Sequence, residues 1–292
     1  MILVIGRTGQ VARALAEAAP EGTRFLGRDA LDLTETARIA RTIAAERPSV
    51  VINAAAYTAV DRAEDEPALA HQINATAVGE IARGAAEAGA ALIHLSTDYV
   101  FPGDQAGPHA VDAPTGPLGA YGASKLAGEH AALSAHPRTA IIRTAWVYAP
   151  WGANFVRTML RLGAEREGLR IVADQHGQPT SALDIAAGCL RAAPQLAKSP
   201  ADVPAWGAYH LAGQGATTWA DFATAVFEGA VARGLLFRAP AIERIPTSGY
   251  PTKAQRPANS TLDCLRFEQV FGWTMRPWQA SLAQVLDRLA KT

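Results

Sequence analysis

The chain has 292 residues, 49% apolar and 18% charged, with 27 basic side chains against 27 acidic ones. That balance excludes a disordered chain and offers no electrostatic grip on a polyanion or an anionic lipid surface, so neither nucleic acid nor a membrane is expected as a partner. The length is enough for one large α/β unit or two modest domains with a sizeable core.

Met1 runs straight into Ile2-Leu3-Val4-Ile5-Gly6, with no basic leader, cleavage site or apolar run of membrane-spanning length, and the protein is expected in the cytoplasm. Cys189 and Cys264 lack the spacing of a metal or redox motif and are expected as reduced packing residues.

Short apolar runs recur at Ile2 to Ile5, Phe25-Leu26, Val50 to Ile52, Leu92 to Leu95 and Ala140 to Ile142, separated by Ala-rich stretches of helical period such as Leu69 to Ala88. Runs apolar throughout belong in a sheet buried on both faces, and alternation with helices makes that sheet parallel. The expected fold is therefore α/β, a Rossmann-type doubly wound parallel sheet whose ligand site lies beyond the carboxyl ends of its strands. After about Trp151, prolines such as Pro179, Pro194, Pro204, Pro240 and Pro257 punctuate shorter helices, which marks a smaller α/β substrate-binding lobe. The expected division is residues 1–150 for the Rossmann-type ligand-binding domain and 151–292 for a mainly substrate-binding lobe, interleaved rather than independently folded.

Gly6-Arg7-Thr8-Gly9-Gln10-Val11-Ala12 follows the first strand and opens a helix with Leu15 and Ala18 on its apolar face. The glycines permit a tight turn and let the backbone approach a pyrophosphate at the helix N-terminus, where unpaired amides and the dipole favour negative charge. The pattern is G-x-x-G-x-x-A, not the three-glycine fingerprint, and a glycine pair there also serves as a plain βα turn; its place after the first strand favours the phosphate loop. Arg28 stands where an NAD-selective site commonly has an acid, and its guanidinium suits a 2′-phosphate. NADPH is thus the expected cofactor, with NADH the alternative if Arg28 is only a solvated surface charge. Asp32-Leu33 resembles a turn that could hold an adenine. Asn53-Ala54-Ala55-Ala56 ends the third strand with small side chains, which let backbone sit close to a cofactor or equally serve helix-sheet packing.

Ser96-Thr97-Asp98-Tyr99 ends the fourth strand, and a helix is expected from about Ala120. Tyr121 and Lys125, four apart, would share one face of it. Delivery of a hydride to a carbonyl carbon builds charge on oxygen, which a phenol neutralises by giving up its proton; a nearby ammonium should lower the phenol's pKa from about 10. Thr97 can bond the carbonyl oxygen or the phenol. Taken singly, each has a bland alternative: boundary aromatic, surface charge, ordinary β-branched strand residue. Together at this place in the fold they point to a reductase.

These segments, with Asn53 through Asp61, Ser96 through Phe101 and Tyr121-Gly122-x-x-Lys125-x-x-Gly128-Glu129, resemble the extended short-chain dehydrogenase/reductases, and within them most closely those acting on dTDP-linked 4-keto sugars. The resemblance continues through Arg143 to Tyr148, Asn154-Phe155, Asp174 to Thr180, Gly215 to Trp219 and Arg256 to Ser260, and so covers nearly the whole chain. It implies reduction of the C4 keto group of dTDP-6-deoxy-L-lyxo-4-hexulose to dTDP-L-rhamnose. It further implies Tyr121 as acid, Lys125 as ribose anchor, Thr97 as tuning hydroxyl, and Ala54, Ala55, Ala56, Tyr57 and Thr58 along the cofactor. Val60, Thr97, Asp98 and Tyr121 would face the sugar, and Trp146 would lie against the thymine. Arg256 is the expected diphosphate partner, with Asn154 beside it; both residue types also serve purely structural ends.

Some members of this family dimerise around a magnesium ion held by glutamates, but the matching positions here are Ala14 and Leu183, which cannot coordinate a hard cation. No structural magnesium is expected, and the chain is expected as a monomer or a metal-independent homodimer, with Glu17 and Asp184 as solvated helix charges. Two alternatives stay open: an NADP-binding regulatory subunit like that of methionine adenosyltransferase, and a ketoreductase making another dTDP-deoxysugar.

Overall fold

The computed structural model describes residues 1–291. Six parallel strands form the main sheet: β1 (Ile2–Ile5), β2 (Arg24–Leu26), β3 (Val50–Asn53), β4 (Ala91–Thr97), β5 (Thr139–Thr144) and β6 (Gly207–His210), in the order β6-β5-β4-β3-β1-β2. Alternate side chains of one strand enter two different cores, which is why the runs are apolar throughout. Val4, Ile52, Ile93 and Ile142 join the cluster under helices α1 (Gln10–Ala18) and α5 (Ala182–Lys198). Leu3, Ile5, Val51, Leu92 and Ile141 join the cluster under α2 (Thr36–Glu46), α3 (Ala77–Glu87) and α4 (Ala120–Ala135). On α1, Leu15 is buried as expected but Ala18 is exposed.

The connections place β2 on one side of β1 and β3 on the other, so the topological switch point, whose crevice holds the ligand in doubly wound sheets, lies at the carboxyl ends of β1 and β3. The second half is bound into this scaffold: β6 pairs with β5, and α5 packs on α1. The rest of that half builds a third core, with Tyr148, Phe222, Val226, Phe227 and Leu282, around helices Phe155–Glu165, Trp219–Val231 and Trp278–Leu289 and the parallel pair Gly168–Val172 with Ala241–Ile245.

The stretch from Leu69 to Ala88, expected as regular helix, is helical but carries a π segment at Gln72–Thr76. Its widened turn presents Asn74, which is fully buried and binds the Tyr57 backbone both ways, accepting from the amide at 2.8 Å and donating to the carbonyl at 2.9 Å. Periodicity of apolar residues carries no sign of that bond. Among the described residues no helix is long and apolar enough to cross a membrane.

Candidate active site

The cofactor side is built by glycines where side chains would collide. Gly6 has φ +108°, and a Cβ there would stand 3.3 Å from the Ala54 backbone, so the loops after β1 and β3 can touch only without a side chain. Gly9 caps α1 without any side-chain hydrogen bond, and the first turn of α1 carries no acid, leaving its amides for an anion. The Val11 side chain faces the core, and only its backbone belongs to the turn. The Gln10 side chain is turned to the other half, its Oε1 accepting from Asn154 Nδ2 at 3.0 Å. Arg28 is exposed beyond β2 and pairs with Asp32 at 3.0 Å. The Thr34 amide, then the Thr34 hydroxyl and Arg28, hold the Asp32 carboxyl at about 2. Asp32 is thereby fixed as a turn residue, and Leu33 beside it is buried. Ala54, Ala55, Ala56 and Tyr57 stay half-exposed along the crevice, with Thr58 exposed and Val60 opening the short helix Val60–Ala63.

The catalytic side sits where β4 meets α4. The α4 N-terminus has no cap of its own; Glu64, distant in sequence, accepts from the Ala120 amide at 2.8 Å. Gly128 lets α4 close on the π segment, since a Cβ there would come 1.9 Å from the Asn74 carbonyl oxygen. Asn74 also donates to Ser124 at 3.0 Å, and Ser124 donates to the Tyr121 carbonyl at 2.7 Å. One turn beyond Lys125, Glu129 accepts from Ser96 of β4 at 2.5 Å and from both arms of Arg143 of β5. That buried pair ties the catalytic helix to two strands, and it would be costly to break because one charge would be left alone.

Thr97, Asp98, Tyr121 and Lys125 are brought together at this junction. The Thr97 hydroxyl donates to Asp98 Oδ1 at 2.9 Å and accepts from the Tyr99 amide at 3.2 Å. Asp98 is buried, its Oδ2 without a hydrogen-bond partner among the described residues, and burial pushes its carboxyl up to about 6. Lys125 is 2% exposed and donates to the Leu95 carbonyl at 2.7 Å; burial brings its pKa down to about 8, against the pull of Glu129.

The expected fall in the Tyr121 pKa does not occur. Burial pushes it above the ordinary value, and the opposing pull comes from the Thr97 hydroxyl, not from Lys125. The lysine nitrogen is engaged by Leu95 and by His94, and desolvation of the phenolate outweighs the rest.

The substrate-side residues are less accessible than their sequence context suggests. Trp146 has a left-handed backbone, φ 46°, and its indole stacks on Trp219 with centroids 3.5 Å apart and planes 8° from parallel, so one face is already covered. Arg256 donates to Asp61 at 2.7 Å and lies over Tyr99. Asn154 caps the helix Phe155–Glu165, and its amide donates to Gln10, Ala149 and Trp151; no hydrogen bond joins it to Arg256.

Ala14 packs in the core cluster that Leu183 borders. Glu17 pairs with Arg288, while Asp184, expected as a solvated charge, is buried and bonded to Arg276 and Ser281. The helix Trp278–Leu289 supplies Ser281. Among the described residues no group of three His, Cys, Asp or Glu side chains converges as a metal centre would. The residues missed in sequence are Asn74, His94 and Glu64, which act through bonds distant in sequence that no local motif announces; Glu129 stands in the motif that begins at Tyr121, but its bonds to Ser96 and Arg143 were not read from it.

The RmlD substrate binding domain family matches residues 1–291. The dTDP-4-dehydrorhamnose reductase of Escherichia coli K12 is 43% identical over 301 aligned positions, covering all of this chain and 98% of the relative. The crystal structure of a Clostridium acetobutylicum dTDP-4-dehydrorhamnose reductase superposes with a TM-score of 0.90 at 33% identity, covering 99% of each chain. That of the Bacillus anthracis dTDP-4-dehydrorhamnose reductase in complex with NADP gives 0.88 at 31% identity, covering 98% of each.

Proposed function

The chain belongs to the RmlD substrate binding domain family, whose relatives at this identity are dTDP-4-dehydrorhamnose reductases, and on that premise we propose that it reduces the C4 keto group of dTDP-6-deoxy-L-lyxo-4-hexulose to give dTDP-L-rhamnose, with NADPH as reductant. The observation that carries this reading is the convergence of Thr97, Tyr121 and Lys125 at the carboxyl end of β4, on the same edge of the sheet as the glycine turn that follows β1.

The residues present fit the cofactor. The uncapped α1 amides and the bare Gly6 to Ala54 approach suit a pyrophosphate, and exposed Arg28 suits a 2′-phosphate. Gly6, Gly9, Gln10, Val11, Arg28, Asp32, Leu33, the Ala54 to Thr58 segment and Tyr121 would line it, with Lys125 Nζ anchoring the nicotinamide ribose. NADPH held there would supply the hydride for C4 of the sugar. Tyr121 donates its phenolic proton to the oxygen at C4, where negative charge gathers. A raised pKa suits that role: the phenol is fully protonated at neutral pH, and an alkoxide is basic enough to take its proton. The Thr97 hydroxyl, fixed by Asp98 and the Tyr99 amide, aligns phenol and carbonyl.

Residues 1–150 would hold the cofactor and 151–292 mainly the nucleotide sugar, with Val60, Asp98, Trp146, Asn154 and Arg256 as the substrate side. Isothermal titration tests the two subsites: NADPH alone and then dTDP should each bind with one site per chain, and absence of NADPH binding would contradict the reading.

A further inference from the structure

Behind the catalytic lysine lies a histidine that the mechanism leaves unused. His94 is fully buried in β4 and opposes Asn53 in register on β3. Its ring bridges two groups, with Nδ1 2.9 Å from Asn53 Nδ2 and Nε2 3.3 Å from Lys125 Nζ.

The Asn53 amide is oriented from outside the ring. The Ala55 amide donates to Asn53 Oδ1 at 3.2 Å, and an N–H can pair only with the oxygen, so the NH2 end turns to His94 and donates to Nδ1. A neutral imidazole accepting at Nδ1 carries its proton on Nε2. His94 is neutral: burial first, and the charge of Lys125 second, hold its pKa well below the ordinary value. The Nε2–H therefore faces Lys125 Nζ, and a hydrogen bond between the two nitrogens requires a lone pair on the amine.

We propose that Asn53 and His94 are positioning residues that present an imidazole N–H to Lys125, so that this buried site shifts the balance of Lys125 from the ammonium toward the free amine. The proposal rests on Lys125 being the ribose anchor. Of the charged groups, Glu129 on α4 favours the ammonium but is itself bonded to Arg143 on β5 and Ser96 on β4; Tyr121 lies one turn before Lys125 on α4, with Asp98 beyond it. The balance leaves Lys125 near 8, where an ordinary lysine titrates at about 10.4. Lys125 thus changes charge close to working pH and can release and regain a proton during turnover.

The chain has four lysines, so Lys125 can be followed by NMR in full-length protein carrying 13C at lysine Cε, assigned with Lys125→Met. It should titrate well below the ordinary lysine value of about 10.4. Two-bond proton-nitrogen spectra, with His94 assigned by His94→Gln, should show the Nε2–H tautomer. Asn53→Asp accepts where the amide donated, which moves the imidazole proton to Nδ1 and turns a lone pair toward Lys125; His94→Gln offers an amide oxygen to the ammonium. Both should raise the Lys125 titration by about one pH unit or more, with the alkaline limb of kcat/KM following. An Nδ1–H tautomer in the parent protein, or a Lys125 titration unmoved in His94→Gln, overturns the proposal, and both readings stand if Asn53→Asp fails to fold. Tautomer and titration need neither cofactor nor substrate, so a chain that meets them yet reduces no keto sugar would discard the functional reading and keep this one.

Discussion

The Thr97 hydroxyl donates to Asp98 Oδ1 at 2.9 Å, which places a buried carboxyl one hydroxyl away from the phenol of Tyr121. Asp98 keeps its proton to about pH 6 in the folded chain, because burial disfavours the charge. An unfolded chain releases it near 3.9, so the folded state binds more protons between these values and stability declines as pH rises through that window. Asp98→Asn removes the cost and should stabilise the protein by roughly 2–3 kcal/mol at pH 7, with little effect at pH 4. Urea unfolding at both pH values measures this. An equal change at the two would show that the Asp98 charge is not what burial penalises. Turnover should fall at the same time if Asp98 bonds the sugar.

Tyr121→Phe removes the proton donor and little volume. NADPH affinity should stay within about twofold, while kcat falls by roughly 10² to 10⁴. Titration with NADPH and initial rates separate the two effects, and a near-parental kcat would remove Tyr121 from the acid role.

Arg28 is exposed and, among the described residues, held by Asp32 alone, so it is free to take a phosphate. Arg28→Asp should reverse that attraction and move the ratio of kcat/KM for NADPH over NADH toward NADH by about tenfold or more. An unchanged ratio means that Arg28 does not read the 2′-phosphate.

Gly6→Ala strains a left-handed backbone and pushes a methyl against Ala54. The conformational cost alone is about 1–2 kcal/mol. The Tm should drop, and NADPH affinity should drop further than Tm explains, because the β1 and β3 loops move apart. Intact affinity in a folded variant would place the pyrophosphate elsewhere.

The doubly wound sheet was legible because its signal is local: runs such as Val50 to Ile52 are apolar throughout only when both faces are buried, and β3 lies where that run does. Tyr121 and Lys125 were legible because helical spacing and the preceding strand are both read from neighbours in sequence. What supports them was not. Glu64 reaches Ala120 across 56 residues, Asn74 reaches Tyr57 across 17 through a π turn, and His94 reads in sequence as one more strand residue. The direction of the Tyr121 pKa was missed for the same reason, since it depends on burial and on which partners already hold Lys125. Asp184 looked solvated because Arg276 and Ser281, about 92 and 97 residues away, are invisible to helix periodicity.

The most direct test mixes purified protein with NADPH and enzymatically prepared dTDP-6-deoxy-L-lyxo-4-hexulose, follows absorbance at about 340 nm, where the reduced nicotinamide absorbs, and identifies the sugar by NMR. The account predicts NADPH oxidation that depends on the keto sugar and yields dTDP-L-rhamnose. Binding of NADPH without oxidation, or a product epimeric at C4, would contradict it.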